Sequence, residues 1–310
     1  MSGITEKGVK MMIKAQGVSK SYHDVLALSG VNLDVRRGSI YGLIGSNGAG
    51  KTTLLKILAG IYRQDKGRLE IDAQEVFENE GLKQRVIFIP DTPYFLPQHT
   101  IDGMAEFYRG IYENFSDERY EKLKEVFQID TSKKIESLSK GMQRQVAFWL
   151  ALSMMPDLLV LDEPLDGLDP VVRQRVKNLL IQDVAQRDMS VVISSHNLRE
   201  LEDICDSIGI LHKAELVAQK DIDDFKSDVH KIQVAFRDMP ESRLYEGMDV
   251  LYREERGSVS MLIVRGRKAE VISRFRELQP VILDILPLTL EEIFIYEMGD
   301  IGYAIKDVFI

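Results

Sequence analysis

One cysteine, Cys205, stands in 310 residues. An intramolecular disulfide is therefore excluded, and such usage fits a reducing compartment. Prolines are few, 9 in all, beside 45% hydrophobic and 29% charged residues. That mixture supplies a substantial core and excludes disordered and fibrous classes. Basic residues are in deficit: 40 Lys and Arg face 49 Asp and Glu, a formal charge of −9. The balance argues against nucleic acid or an anionic lipid surface held by bulk charge. No run approaches the roughly 18 consecutive apolar residues of a membrane-spanning helix, and the densest stretch, Ala147 to Met155, stops at Pro156. Met1–Lys14 is polar, without a signal-peptide core or lipidation motif, and no internal repeat or low-complexity tract is visible. Composition alone describes an acidic cytoplasmic protein.

What is present is an alternation of β-rich and helical runs from Lys14 to about Gln219, the pattern of an α/β fold. Val31–Val35 and Ile40–Ile44 read as strands around the turn Arg36-Arg37-Gly38. Val86–Ile89, Leu158–Leu161 and Val191–Ile193 are nearly all apolar, as strands buried on both faces of a central sheet require. Tyr94 to about Met155 reads as helical. One helix starts at Ser116, with Asp117 and Glu118 in its first turn and Tyr120, Leu123 and Phe127 on one face. Another follows Asp169, an N-cap before Pro170 at the first helical position.

After Gln219 the pattern changes to alternating strands at Ile232–Phe236, Met248–Tyr252 and Val259–Val264. A helix near Lys268–Leu278, a strand at Val281–Leu286 and a last helix follow. Thr289-Leu290-Glu291-Glu292 opens that helix as a capping box. Residues 221–310 thus read as a small α+β appendage of undecided role, with the basic run Arg265–Lys268 as a solvated loop.

The chemistry begins at Gly45-Ser46-Asn47-Gly48-Ala49-Gly50-Lys51-Thr52, which fits the phosphate-loop pattern GxxxxGK[ST]. Glycines let successive backbone N–H groups turn inward on an oxyanion, and the helix that follows, with Thr53 in its first turn, aims its positive end there. Lys51 reaches the β/γ oxygens and Thr52 offers a hydroxyl to Mg²⁺. An apolar strand precedes the loop and a helical pattern (Leu54, Leu55, Leu58, Ile61) follows it, so nucleoside triphosphate is the expected ligand. Leu158–Leu161 delivers Asp162 and Glu163 to a strand's C-terminal end. There Asp162 serves as the Mg²⁺-side carboxylate and Glu163 as the general base for an attacking water.

Leu138-Ser139-Lys140-Gly141-Met142-Gln143 places Ser139 88 residues after Lys51 and 23 before Asp162. With this segment the sequence resembles the ATP-binding-cassette (ABC) family over about residues 14–220. Asp166-Gly167-Leu168-Asp169 resembles the family's D-loop, and Ser194-Ser195-His196 its switch histidine, 34 residues past Asp162. The resemblance implies a phosphate-loop NTPase with a β-subdomain, a mixed central sheet and a helical subdomain (about 92–155), spanning 12–220. It implies ATP and Mg²⁺ as cofactors, Tyr22 stacked on adenine, and His196 as γ-phosphate sensor. Ser139 and Gly141, ahead of a helix at Met142–Met155, would close on ATP held by the opposite subunit of a head-to-tail dimer. Homodimer and heterodimer with a related ATPase both remain open.

Two departures from the family stand out. Lys140 and Met142 replace the first glycine and the glutamine of LSGGQ, a form similar to that of small exporter ATPases, as is the ending Leu290-Glu291-Glu292-Ile293-Phe294. Asp91, after Ile87-Phe88-Ile89-Pro90, stands where the family carries a glutamine. An Asp can ligate Mg²⁺, yet when ionised it donates no hydrogen bond and adds negative charge beside a triphosphate. It is carried as a coupling residue and candidate metal ligand.

The function so implied is hydrolysis of ATP to drive separate membrane permease chains, in export, from the cytoplasmic face of the membrane. Thr92 to about Tyr112 would dock the permease, although Tyr94, Phe95, Phe107 and Tyr108 suit core packing equally well. The alternative is an ABC ATPase acting without a membrane. Ribosome-associated members carry two cassettes and DNA-repair members a long coiled-coil insertion, and this chain has neither. A non-catalytic scaffold fits poorly with Glu163 and His196.

Overall fold

The computed structural model describes residues 10–237, 245 and 247–300, so residues 1–9 of the polar N-terminal stretch lie outside the described residues. The chain opens with β1 (Met11–Tyr22), β2 (Val25–Arg36), β3 (Ile40–Ile44), α1 (Lys51–Leu58), β4 (Lys66–Ile71), β5 (Gln74–Glu75), α2 (Glu80–Lys83) and β6 (Val86–Ile89). It continues through α3 (Ile101–Arg109), α4 (Asp117–Phe127), α5 (Lys140–Ser153), β7 (Leu158–Leu161), α6 (Pro170–Arg187), β8 (Ser190–Ser195), α7 (Leu198–Leu201), β9 (Ser207–His212) and β10 (Glu215–Asp221). Last come α8 (Ile222–Asp228), β11 (Val229–Ala235), β12 (Asp249–Arg256), β13 (Val259–Arg265), α9 (Lys268–Glu277), β14 (Ile282–Leu286) and α10 (Leu290–Asp300).

The chain divides into two compact units: one runs through His196 and includes Ile204–Gln219, the other holds Asn197–Asp203 and the chain from Lys220 on. In the first unit the central sheet has the order β10-β9-β3-β8-β7-β6. β3 pairs in parallel with β8 and β9, and β7 with β6 and β8. β10 folds back on β9 through Lys213-Ala214, both at positive φ, as a two-residue hairpin turn demands, so the sheet is mixed, as expected. β3, β7, β8 and β9 are buried along their whole lengths, which is why each is built on a short apolar stretch; β8 and β9 also bury Ser190, Ser194, Ser195, Ser207 and His212. A second, antiparallel sheet has the order β2-β1-β4-β5. The turn Arg36-Arg37-Gly38 therefore joins strands of different sheets and makes no hairpin.

Between β6 and β7 lie the helices that hydrophobic spacing predicts. Ser116 caps α4 by accepting from Arg119 N–H at 3.1 Å, and Tyr120, Leu123 and Phe127 form its buried face. Trp149 of α5 stacks on Tyr120 at 5.0 Å and donates to the Tyr120 carbonyl at 2.9 Å. Asp183 of α6, 2% exposed, accepts from Arg119 and Arg187 and so binds α4 to α6. Asp169 caps α6 through Val171 and Val172 N–H, both at 3.0 Å. The second unit is a four-stranded antiparallel sheet, β12-β13-β11-β14, over α9, with Ile232, Leu262, Val264 and Phe275 in its core. Thr289 and Glu292 form the expected capping box. Of the basic run, Arg265 ends β13 and Lys268 opens α9, leaving only Gly266-Arg267 as linker; Arg265 pairs with Asp249 and Arg267 with Glu270. That unit's α7 is held by Arg199 Nε on Glu291 at 2.7 Å. Among the described residues no helix is long and apolar enough to cross a membrane.

Tyr41 carries a polar group into the core. Tyr41 of β3 is fully buried and its hydroxyl has no hydrogen-bond partner among the described residues; burial pushes its phenol pKa far up. The hydroxyl occupies the space of a side chain at Gly209, where a Cβ would lie 1.8 Å from it. Tyr41→Phe is therefore expected to stabilise the fold by about 1 kcal/mol, since it removes an unmet desolvation penalty. A urea midpoint that falls in this variant would contradict the assignment.

Candidate functional site

The loop between β3 and α1 is shaped by backbone. Gly50 sits at φ 110°, and a Cβ there would lie 2.4 Å from the Ala27 carbonyl, so only glycine fits. Ala49 is buried, its N–H on Ser46 O at 3.1 Å, while Asn47 and Gly48 are exposed and Ser46 is half-buried. Gly45 starts the turn at the buried end of β3. Gly50 provides no side-chain cap to α1, whereas α2, α3, α4, α5 and α6 of the same unit are capped by Asn79, Thr100, Ser116, Ser139 and Asp169. The first-turn N–H groups of Lys51, Thr52 and Thr53 are thus left for an anion, which is what a phosphate cradle requires.

Lys51, 6% exposed, donates to Gly45 O at 2.6 Å and Ser46 O at 3.3 Å. It also pairs with Glu163 Oε1 at 3.1 Å. Thr52 Oγ1 donates to Asp162 Oδ2 at 2.7 Å, and Ser194 Oγ donates to Asp162 Oδ1 at 2.8 Å. The Glu163 N–H reaches Ser194 Oγ at 2.9 Å. Its other carboxylate oxygen, Oε2, accepts from the His196 N–H at 3.2 Å and lies 3.0 Å from His196 Nδ1. Glu163 is at φ 46°, a backbone conformation L residues rarely hold without surrounding constraint. The ends of β7 and β8 and the start of α1 therefore bring Lys51, Thr52, Asp162, Glu163 and His196 together. Hard oxygen donors, a hydroxyl and a buried carboxylate, fit a Mg²⁺ ion.

The remaining expected residues sit elsewhere in the network. Tyr22, at the end of β1, is 38% exposed and meets Tyr62 edge-on at 5.9 Å. Ser139 caps α5 by accepting from Met142 N–H at 3.2 Å, so the helix begins at Lys140, two residues earlier than the expected Met142, and Gly141 lies in its first turn. Asp91 points its carboxylate at Arg144, not at Thr52 or Asp162. Ser194, which the motif pattern leaves without a role, fixes one oxygen of Asp162 while Thr52 fixes the other. The signal is a pair of buried serines, Ser194 and Ser195, closing β8 after the apolar Val191–Ile193. Asp166 offers a ligand atom within 4.8 Å of those of Glu163 and His196, and its place in the D-loop was the only hint.

This loop on this sheet defines a phosphate-loop NTPase. A family model described as "ABC transporter" matches residues 28–166, and one described as "AAA domain, putative AbiEii toxin, Type IV TA system" matches 131–202. The chain is 33% identical over 288 residues to the ABC transporter ATP-binding protein YtrB of Bacillus subtilis, covering 93% of this chain and 98% of that protein. It is 31% identical over 218 residues to the bacitracin transport ATP-binding protein BcrA of Bacillus licheniformis, covering 69% and 71%. A solved ATP-binding subunit of an ABC transporter superposes with TM-score 0.64 at 28% identity, over 69% of this chain and 92% of that one. The chain belongs to the ATP-binding subunits of ABC transporters, and it binds and hydrolyses ATP.

Proposed function

We propose that this chain works as one half of a two-cassette dimer that closes on ATP and drives export through separate membrane-spanning chains, from the cytoplasmic face of the membrane. The observation that carries the reading is the convergence of Lys51, Thr52, Asp162, Glu163 and His196 at the C-terminal ends of β7 and β8 and the start of α1. Gly45 to Thr53 wrap the triphosphate, and Thr52 with Asp162 would hold Mg²⁺, whose charge would offset that of the phosphates. Glu163 takes the proton of an attacking water while His196 fixes its carboxylate. Tyr22 stacks on adenine, and Ser139 with the Gly141 N–H meets the γ-phosphate bound by the other cassette. Residues 12–220 form the cassette and 221–310 an accessory α+β domain.

A transport role is favoured by the names of relatives: the BcrA protein is a bacitracin transport ATP-binding protein, and SrtF of Streptococcus pyogenes, 31% identical over 214 residues, a lantibiotic transport one. For the permease, an aromatic-lined cavity of about 170 Å³ lies between β6, the segment after it and α5, with Tyr94, Phe95, Tyr108 and Tyr112 in its lining. Tyr94 is 76% exposed, as an interface anchor is before binding. Solubilised membranes are expected to yield the chain together with a multi-spanning partner. Tyr94→Ala should reduce that recovery about tenfold or more, the worth of a buried aromatic anchor, at unchanged melting temperature. Recovery of the tagged chain without any membrane-spanning partner would defeat the transport reading.

A further inference from the structure

We infer that Asp91 and Arg144 form a charged latch that sets the start of α5 against the segment leaving β6, and that Asp91 serves ATP hydrolysis through this latch as a positioning residue; the inference rests on the cassette reading above. Arg144 Nη2 donates to both the Asp91 carboxylate, at 2.8 Å, and the Asp91 backbone carbonyl, at 2.5 Å. The Arg144 side chain is 13% exposed and that of Asp91 58%. One guanidinium thus holds the residue that follows Pro90 by main chain and side chain together. On its other edge lies the D-loop turn, where a Cβ built on Gly167 would sit 3.9 Å from Arg144 Nη1. Asp91, Gly141, Arg144, Asp166 and Gly167 line one cavity of about 410 Å³.

The arrangement accounts for an acid at position 91. A carboxylate facing a triphosphate is unfavourable, whereas a carboxylate turned onto a guanidinium is neutralised and fixed in direction. Arg144 stands one turn beyond Lys140, so the latch acts on the same end of the helix that carries Ser139 and Gly141. Its charge pair leaves the phosphate loop untouched. Breaking it frees the α5 start to shift against Glu163 and Asp166, and displacements of about 1 Å in a catalytic assembly lower rates by up to a hundredfold.

Three variants of the full chain test this: Asp91→Asn, Arg144→Ala and the exchange Asp91→Arg with Arg144→Asp. Each single change is expected to lower kcat for ATP about tenfold, with KM for ATP and the melting temperature near wild type. The exchange should recover part of the loss, because it restores the charge pair but not the bond to the main-chain carbonyl. Mg²⁺ half-saturation should not move in Asp91→Asn. The latch is overturned if the single variants keep full kcat, or if the exchange is no better than either of them. It is also overturned if Asp91→Asn weakens Mg²⁺ dependence while Arg144→Ala is silent, because Asp91 would then be a metal ligand. Failure of the cassette reading is separable: it would appear as a wild-type chain that does not turn over ATP at all.

Discussion

Glu163→Gln retains ATP but hydrolyses it about 10²–10⁴ times more slowly, the usual worth of a positioned general base. Geometry survives the exchange, because the Gln carbonyl can still accept from the His196 N–H that Glu163 Oε2 now accepts at 3.2 Å. The amide cannot take a proton from water. It also no longer binds the Lys51 ammonium, held at 3.1 Å by the carboxylate, so Lys51 is freer to meet phosphate and ATP affinity does not fall. A dimer that closes on ATP and cannot cleave it should accumulate, and a sizing column run in ATP and Mg²⁺ should show twice the mass of the nucleotide-free chain. Turnover at the wild-type rate would remove Glu163 from its role. A stable monomer at saturating ATP would instead point to a second, related ATPase as the partner.

How far the sequence discloses this site depends on how local each interaction is. The phosphate loop is a contiguous pattern whose glycines are required by backbone geometry, and the short apolar runs at Val86–Ile89 and Leu158–Leu161 coincide with β6 and β7. Caps also act over two or three residues, so Ser116, Asp169 and Thr289 are found where their side chains predict them. The helix carrying Gly141 starts at Lys140 rather than Met142, because Ser139 caps it and a capped first turn tolerates glycine. Long-range partners left no such trace. Arg144 lies 53 residues from Asp91, and spacing cannot say that one neutralises the other. Nor could it show that Asn197–Asp203, directly after the histidine, packs with the C-terminal unit; that follows from Arg199 on Glu291, 92 residues away, and Lys226 on Glu202.

Lys51→Met is expected to weaken ATP binding about 10- to 100-fold, from the loss of charge-assisted hydrogen bonds to phosphate, and to abolish hydrolysis. Its effect on folding is the more discriminating measurement. Lys51 and Glu163 are largely enclosed, at 6% and 14% side-chain exposure. Removing only the cation leaves a carboxylate facing the Gly45 and Ser46 carbonyls that Lys51 now satisfies. Breaking one side of an enclosed pair destabilises by about 3–5 kcal/mol, while replacing both partners is often close to neutral; the His196 contacts to Glu163 should keep the loss near or below the lower figure. The double variant Lys51→Met, Glu163→Gln should therefore melt closer to the wild type than Lys51→Met alone, yet stay inactive. Recovery of stability without recovery of activity separates the structural work of Lys51, holding the loop and Glu163 in place, from its work on phosphate. Strictly additive losses in the two single variants would show that the pair contributes nothing to the fold, and Lys51 would then act on nucleotide alone.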